Sequence, residues 1–187
     1  MSGLPTLHTE RLILRPFVLS DAPEVQRLAG EREIAATTIN IPHPYEDGVA
    51  EEWINKHAER FEKGEIADFA ICDRENGHLI GATALFLSLS NERAELGYWV
   101  GKPYWGKGYC TEAAREMLRF GFEELDLNRI FAHYMGNNPA SGRIMEKLGM
   151  KYEGCMRQHV KKWGELLDMI FYSIIKSEYR ATLRAPE

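Results

Sequence analysis

Two glycines bracket a lysine in Trp105-Gly106-Lys107-Gly108, and the chain then runs through Tyr109-Cys110-Thr111 into a segment with helical apolar spacing. That combination suits an anion. Glycines let backbone amides converge without a Cβ in the way, the first turn of a following helix carries a partial positive charge, and Lys107 adds a cation beside it. A pyrophosphate fits such a cradle. Two phosphate motifs share these ingredients, and the sequence departs from both. Gly101 to Lys107 spells GxxxxGK, but the next position is Gly108, where a P-loop needs a hydroxyl for magnesium. The dinucleotide fingerprint lacks its third glycine at Thr111, and the preceding strand sits in a meander instead of opening a βαβ unit. Taken alone, two glycines also serve a plain strand-to-helix turn.

The elements that must position this turn can be read from periodicity. Arg11 to Phe17 alternates apolar and charged residues as a half-buried strand does, and Ser20-Asp21 can cap a helix running through Leu28. Val49, Trp53, Ile54, His57 and Phe61 recur at helical spacing within Tyr45 to Lys63 and predict a second helix, ended by Gly64. Asp68 to Asp73, His78 to Leu87 and Arg93 to Val100 read as three antiparallel strands, the first two joined by the turn Glu75-Asn76-Gly77. Ala114, Met117, Leu118 and Phe122 make Thr111 to Leu125 an amphipathic helix. Arg129 to Met135 is a further strand. Asn138-Pro139 opens a helix that Gly149 ends, because Asn caps and Pro suits the first helical position. Leu166 to Ile175 is a long apolar strand interrupted by Asp168, with a short helix after it. The reading is a single α/β domain over residues 7–179 with short tails, a mostly antiparallel sheet carrying helices on both faces.

Composition bounds the function. With 187 residues, 44% of them hydrophobic, the chain can bury one core. A net charge of −5 lacks the broad basic surface of a nucleic-acid binder, so any anion site must be local. Cys72, Cys110 and Cys155 are odd in number and dispersed, with no metal-ligand spacing, which fits a reduced, cytoplasmic protein without a bound metal. The N-terminus has charges where a signal peptide needs its apolar core, and no stretch approaches about 18 apolar residues, so neither export nor a membrane span is expected.

Glu95 to Ala113, ELGYWVGKPYWGKGYCTEA, resembles the acetyl-CoA motif Gln/Arg-x-x-Gly-x-Gly/Ala of the GNAT superfamily of N-acyltransferases. Trp105 stands in place of the first Gln/Arg and Cys110 in place of the last small residue. The Trp-Gly-Lys-Gly-Tyr form is that of the RimJ/RimL-like branch. Asn138 to Gly154, NPASGRIMEKLGMKYEG, resembles the Asn-x-x-Ser helix and following Lys-Leu-Gly segment of the same branch. The resemblance implies the GNAT fold: a mixed, mostly antiparallel seven-stranded sheet, splayed between its fourth and fifth strands.

It also implies roles. Pantetheine would lie in the splay and pair with the main chain of Tyr98, Trp99 and Val100, a strand that Pro103 stops from running on. Amides from Trp105, Gly106, Lys107, Gly108, Tyr109 and Cys110 would hold the pyrophosphate. Asn138 corresponds to a cofactor-contacting residue and can equally be a helix cap. Ser141 matches a general acid for the CoA sulfur, or is an ordinary first-turn hydroxyl. The N–H near Val100 is the natural donor to the thioester oxygen as a tetrahedral intermediate forms. For the base, Glu95 is the candidate, His133 the second, and a water chain the third. Asp168 could meet a substrate ammonium or pair with a basic side chain. The expected activity is direct acetyl transfer from acetyl-CoA to a primary amine, either a protein N-terminus or a small amine. The competing class is a non-catalytic acyl-CoA-binding or sensing module. A homodimer is left open, since Leu166 to Ile175 could be internal or lend an edge to a second copy.

Overall fold

The computed structural model describes residues 3–182, which build one eight-stranded sheet. In chain order its strands are β1 (Leu7–His8), β2 (Leu12–Arg15), β3 (Ile66–Asp73), β4 (Leu79–Ser88), β5 (Arg93–Val100), β6 (Arg129–Met135), β7 (Lys151–Lys162) and β8 (Glu165–Ile175). Across the sheet the order is β1-β2-β3-β4-β5-β6-β8-β7, with every pair antiparallel except β5 and β6. The expected mixed, mostly antiparallel sheet is present with eight strands, not seven, because Leu7-His8 pairs separately with β2. The splay accordingly lies between the fifth and sixth strands, not the fourth and fifth.

That splay is visible in the register. β5 and β6 pair over Arg93↔Arg129, Ala94↔Ile130 and Glu95↔Phe131 only. Beyond Glu95, β5 stays on β4 as far as Val100, while β6 stays on β8 as far as Met135. The two halves of the sheet therefore part like a V with Glu95 at its vertex.

Helices cover both faces. α5 (Tyr109–Arg119) and α6 (Pro139–Lys147) pack on the face that presents Phe69, Leu85, Leu96 and Ile130, burying Met117, Leu118 and Met145 there. Each such fully buried Met or Leu contributes roughly 1.5–3 kcal/mol. The opposite face, with Ala70, Cys72 and Leu79, is covered by α1 (Ala22–Ala29) and α3 (Val49–Asn55). α2 (Arg32–Thr37), α4 (His57–Glu62) and α7 (Lys176–Thr182) complete the set.

Several expected boundaries move for local reasons. The single helix predicted over Tyr45 to Lys63 begins only at Val49, after Gly48 at φ +86°, and breaks at Lys56, so that α4 restarts and turns His57 inward. The predicted Thr111–Leu125 helix starts two residues earlier and ends in a π-helical turn, Phe120–Glu124, which buries Phe120 and Phe122 together. α1 is preceded by a 3₁₀ turn at Leu19–Asp21, where Asp21 holds Arg15 through both oxygens at 2.7 and 2.8 Å and accepts from the Val18 amide at 2.9 Å. β7 has no counterpart in the sequence reading. Most of its residues are exposed, so it carries none of the apolar alternation that marks a half-buried strand.

Candidate active site

The glycine turn sits where β5 gives way to α5. Pro103 falls in a 3₁₀ turn, Lys102–Tyr104, that ends the strand's course. Gly106 and Gly108 then adopt φ +74° and +83°, the left-handed region that costs a residue with a Cβ of order 1–3 kcal/mol. Gly108 caps α5, whose first-turn amides have no preceding carbonyl within the helix to bond. Those donors and the helix dipole face the same concavity. Arg11 reaches the turn from β2's edge: Nη1 donates to the Lys107 carbonyl at 3.0 Å, and the guanidinium lies 4.8 Å from the centre of the Tyr109 ring. Glu112 holds Arg11 there, accepting from its Nε at 2.7 Å and its amide at 2.8 Å, and from Thr9 Oγ1 at 2.6 Å. Nothing in sequence links Arg11 to a turn nearly a hundred residues away, and its alternation read as an ordinary strand.

The free edge of β5 follows from strand parity. Gly101 donates its N–H to Ile80 on β4, so alternate residues back along β5 face β4. Leu96, Tyr98 and Val100 therefore turn their N–H and C=O toward the splay, where β6 has withdrawn. The same parity puts the Glu92 carbonyl on the β6 side, where it accepts from Asn128 and Arg129. Within the splay, the Val100 carbonyl takes the Trp105 indole N–H at 2.8 Å. Trp99 has the other parity, and its main chain faces β4.

Side chains flank the splay on its two faces. On the α5/α6 face, the Tyr98 hydroxyl lies 2.9 Å from the Ser141 hydroxyl and 3.2 Å from the Ser141 carbonyl, and its single proton can be given to either. Ser141 is buried at the start of α6, and burial, the largest effect, raises the Tyr98 phenol well above its ordinary value, so it stays protonated. Asn138 caps α6, its side chain accepting from the Ser141 amide at 3.4 Å. Gly142 lets α6 come this close, because a Cβ there would lie 2.8 Å from the Tyr134 ring. On the other face, Glu95 Oε1 and His133 Nδ1 stand 3.4 Å apart across the vertex of the V. His133 packs 5.2 Å from the Phe171 ring.

Asp168 is not in this constellation. It accepts from the Gln158 amide at 2.8 Å and lies 3.7 Å from Cys155 Sγ, holding the bulge in β7 where Gln158 takes φ +50°. Its hydrogen-bond partners are thus Gln158 and Cys155, not a basic side chain. Cys110 enters the wall in the first turn of α5, and burial pushes its thiol up to about 12, which keeps it un-ionised.

One cavity of about 960 Å³ runs along both faces of the splay. Its walls include Glu95, Tyr98, Trp99, Val100, Trp105, Gly106, Gly108, Tyr109, Cys110, His133, Asn138 and Ser141, but not Lys107, whose ammonium lies 5.7 Å from the Tyr104 ring. The volume is at the upper end for small-molecule sites, enough for an elongated donor and an acceptor together. The sequence did not signal two further wall residues, Asp68 and Arg60. Asp68 stands at the first position of the strand read over Asp68 to Asp73, and Arg60 falls among the unremarked polar residues of the helix read over Tyr45 to Lys63.

Residues 11–151 match the family profile described as the acetyltransferase (GNAT) domain. The chain is 33% identical over 178 residues to the "Uncharacterized N-acetyltransferase p20" of Bacillus licheniformis, covering 94% of this chain and 99% of that protein. Among solved structures, a GNAT-family acetyltransferase from Bacillus anthracis superposes with a TM-score of 0.81 at 26% identity, covering 92% and 99% of the two chains. The ribosomal-protein-S5-alanine acetyltransferase of Vibrio fischeri shares the fold with a TM-score of 0.82 at 20% identity, over 94% of this chain and 98% of that one.

Proposed function

This chain belongs to the GNAT acetyltransferase family, and from that premise we propose that it moves an acetyl group from acetyl-CoA directly to a primary amine held beside Glu95 and His133. The observation that carries the reading is the free edge of β5, with Ser141 and Tyr98 on one face of the sheet and Glu95 and His133 on the other. A donor and an acceptor approaching from opposite faces would meet there.

The residues present suit CoA. The left-handed turn at Gly106 and Gly108 and the open amides of α5 offer a pyrophosphate several donors at once, and a Cβ at Gly108 would meet Arg11 Nη2 at 3.4 Å. The free main-chain N–H and C=O of Tyr98 offer pantetheine amides a strand edge to pair with. When bound, acetyl-CoA supplies the activated acyl group. The chain's own residues then divide the proton work. Glu95, with His133 3.4 Å away, receives a proton from the acceptor amine. The Val100 N–H, aimed into the splay, donates to the acyl oxygen. Ser141 Oγ gives a hydrogen bond or its proton to sulfur, with the Tyr98 hydroxyl behind it at 2.9 Å to hold the rotor and share the charge. The un-ionised Cys110 thiol supports transfer without a covalent acyl-enzyme.

The acceptor is a protein N-terminus or a small amine, and the RimJ/RimL-like form Trp-Gly-Lys-Gly-Tyr is compatible with both. The shared fold does not choose between them. A single-domain, cytoplasmic protein working without a metal remains part of this reading. Among the described residues, no helix is long and apolar enough to cross a membrane.

Titration calorimetry with acetyl-CoA and thiol-release turnover over a panel of N-terminal peptides and small amines test the proposal together. Saturable binding with turnover of at least one amine is expected. Binding without turnover of any amine would return the chain to the acyl-CoA-binding module, and no binding at all would remove the cofactor.

A further inference from the structure

The register across three strands exposes a trough that the reaction as described does not use. Asp68 on β3 pairs with Ala84 on β4, and Ala84 pairs with Gly97 on β5, so these three form one row beside the row Ile66, Phe86 and Glu95 on the same face. Between Asp68 and the free edge of β5 the row itself carries only a methyl group and a hydrogen, and the Phe86 ring of the neighbouring row walls it, 3.1 Å from where a Cβ on Gly97 would stand. Asp68, Ala84, Gly97, Phe86 and Glu95 all line the one cavity. Interstrand spacing puts Asp68 about 10 Å from the β5 edge.

Asp68 carries an uncompleted carboxyl group. It is 6% exposed, and Oδ2 has no hydrogen-bond partner. The nearest candidate, His57 Nε2, is 3.5 Å away, and both nitrogens of that ring are themselves unbonded. His57 supplies no positive charge: burial against Trp53 and Phe17 holds its pKa down to about 4. Arg60, the one cation that acts on both groups, lies on Glu65 at 3.3 Å. Ionising the group here costs free energy, so burial keeps it protonated up to about pH 7 while it has no cationic partner. An ammonium arriving along the trough would complete it. The chain's net charge of −5 favours the approach of a polycation over that of a neutral amine.

We propose that Asp68 is an acceptor-recognition site, which takes the second ammonium of a small bifunctional amine whose first amino group lies at the splay between Glu95 and His133. The site narrows the acceptor to an aliphatic amine with a second cationic centre about 10 Å from the first. It rests on the transferase reading for the first amine's position, while the cation site itself can be tested without turnover.

The test is calorimetric titration of the full chain, saturated with CoA, with a series from diaminobutane to diaminooctane and with hexylamine. The best diamine should bind at least tenfold tighter than hexylamine. Asp68→Asn should bring the two within about twofold while leaving acetyl-CoA affinity unchanged. Ala84→Leu, which fills the trough and keeps the carboxylate, should do the same. Equal binding of diamine and hexylamine by the unaltered protein overturns the site, as does a preference that survives Asp68→Asn. Thiol release with the same amines reports separately on chemistry. A diamine preference that needs Asp68, with no turnover of any amine, keeps the cation site and removes the transferase reading. Turnover of hexylamine and diamines alike does the reverse.

Discussion

Tyr98 on β5 and Ser141 on α6 meet hydroxyl to hydroxyl at 2.9 Å, joining the free edge of one half-sheet to the helix that covers the other half. The pair fixes a hydroxyl rotor that a lone serine in a first helical turn would leave to solvent. It also gives a weak acid a second donor behind it.

Ser141→Ala should lower kcat by about 10²- to 10⁴-fold, the range for a lost general acid. Tyr98→Phe removes one net hydrogen bond of about 1 kcal/mol and should lower kcat about five- to tenfold. Neither should shift the dissociation constant of acetyl-CoA more than a few-fold. Steady-state thiol release beside calorimetry checks both. If Ser141→Ala keeps its full kcat, its hydroxyl only packs.

Gly108→Val forces a β-branched residue to φ +83° and crowds Arg11. It should weaken acetyl-CoA binding at least tenfold and cost about 1–3 kcal/mol of stability. For a chain of this size, that is a fall in Tm of about 2–10 °C. Calorimetry and thermal melts read the two effects, and unchanged CoA affinity would remove the turn from the binding site.

Glu95 and His133 face each other at 3.4 Å, so their contributions should not add. Glu95→Gln and His133→Gln should each lower kcat/KM, with a coupling energy of about 0.5–3 kcal/mol in the double variant. Strict additivity would show that the two act independently, and a Glu95→Gln enzyme at full rate would assign amine deprotonation to water.

Opposed titrations at His57 and Asp68 predict an unusual pH response. Folding holds His57 down to about 4 from 6.5, so the unfolded chain binds the extra proton and stability rises with pH between these values. Burial pushes Asp68 up to about 7 from 3.8, so the folded chain binds the extra proton and stability falls with pH across nearly the same window. Within the intact protein the two slopes largely cancel. Asp68→Asn should therefore uncover a rise approaching about 1.4 kcal/mol per pH unit between pH 4 and 6.5, and His57→Gln a fall of similar size. Denaturant unfolding at a series of pH values measures this. Parallel curves for all three proteins would mean the pair does not titrate on folding.

Much of this protein is legible in one dimension because its signals are local. The turn at Gly106 and Gly108 needs left-handed backbone, and glycine advertises that by type alone. Asn138 and Pro139 mark the start of α6 for equally local reasons, and β5 and β6 fall at their predicted limits, each followed by a glycine, Gly101 and Gly136. β7 escaped notice because an exposed edge strand is held by main-chain bonds to β8, which leave no mark on side-chain type. The break at Lys56 escaped because helical spacing survives it.

By itself the sequence determined the glycine turn, most of the elements in order and the residue types able to move a proton, since each depends on neighbours a few positions away. Only the tertiary structure decided their partners. It set Ser141 against Tyr98, Glu95 against His133, and Asp168 on a β7 bulge, because those pairings depend on where the sheet opens. It also left Asp68 at the end of a trough, because strand register, invisible in any one strand, aligned Ala84 and Gly97 beside it.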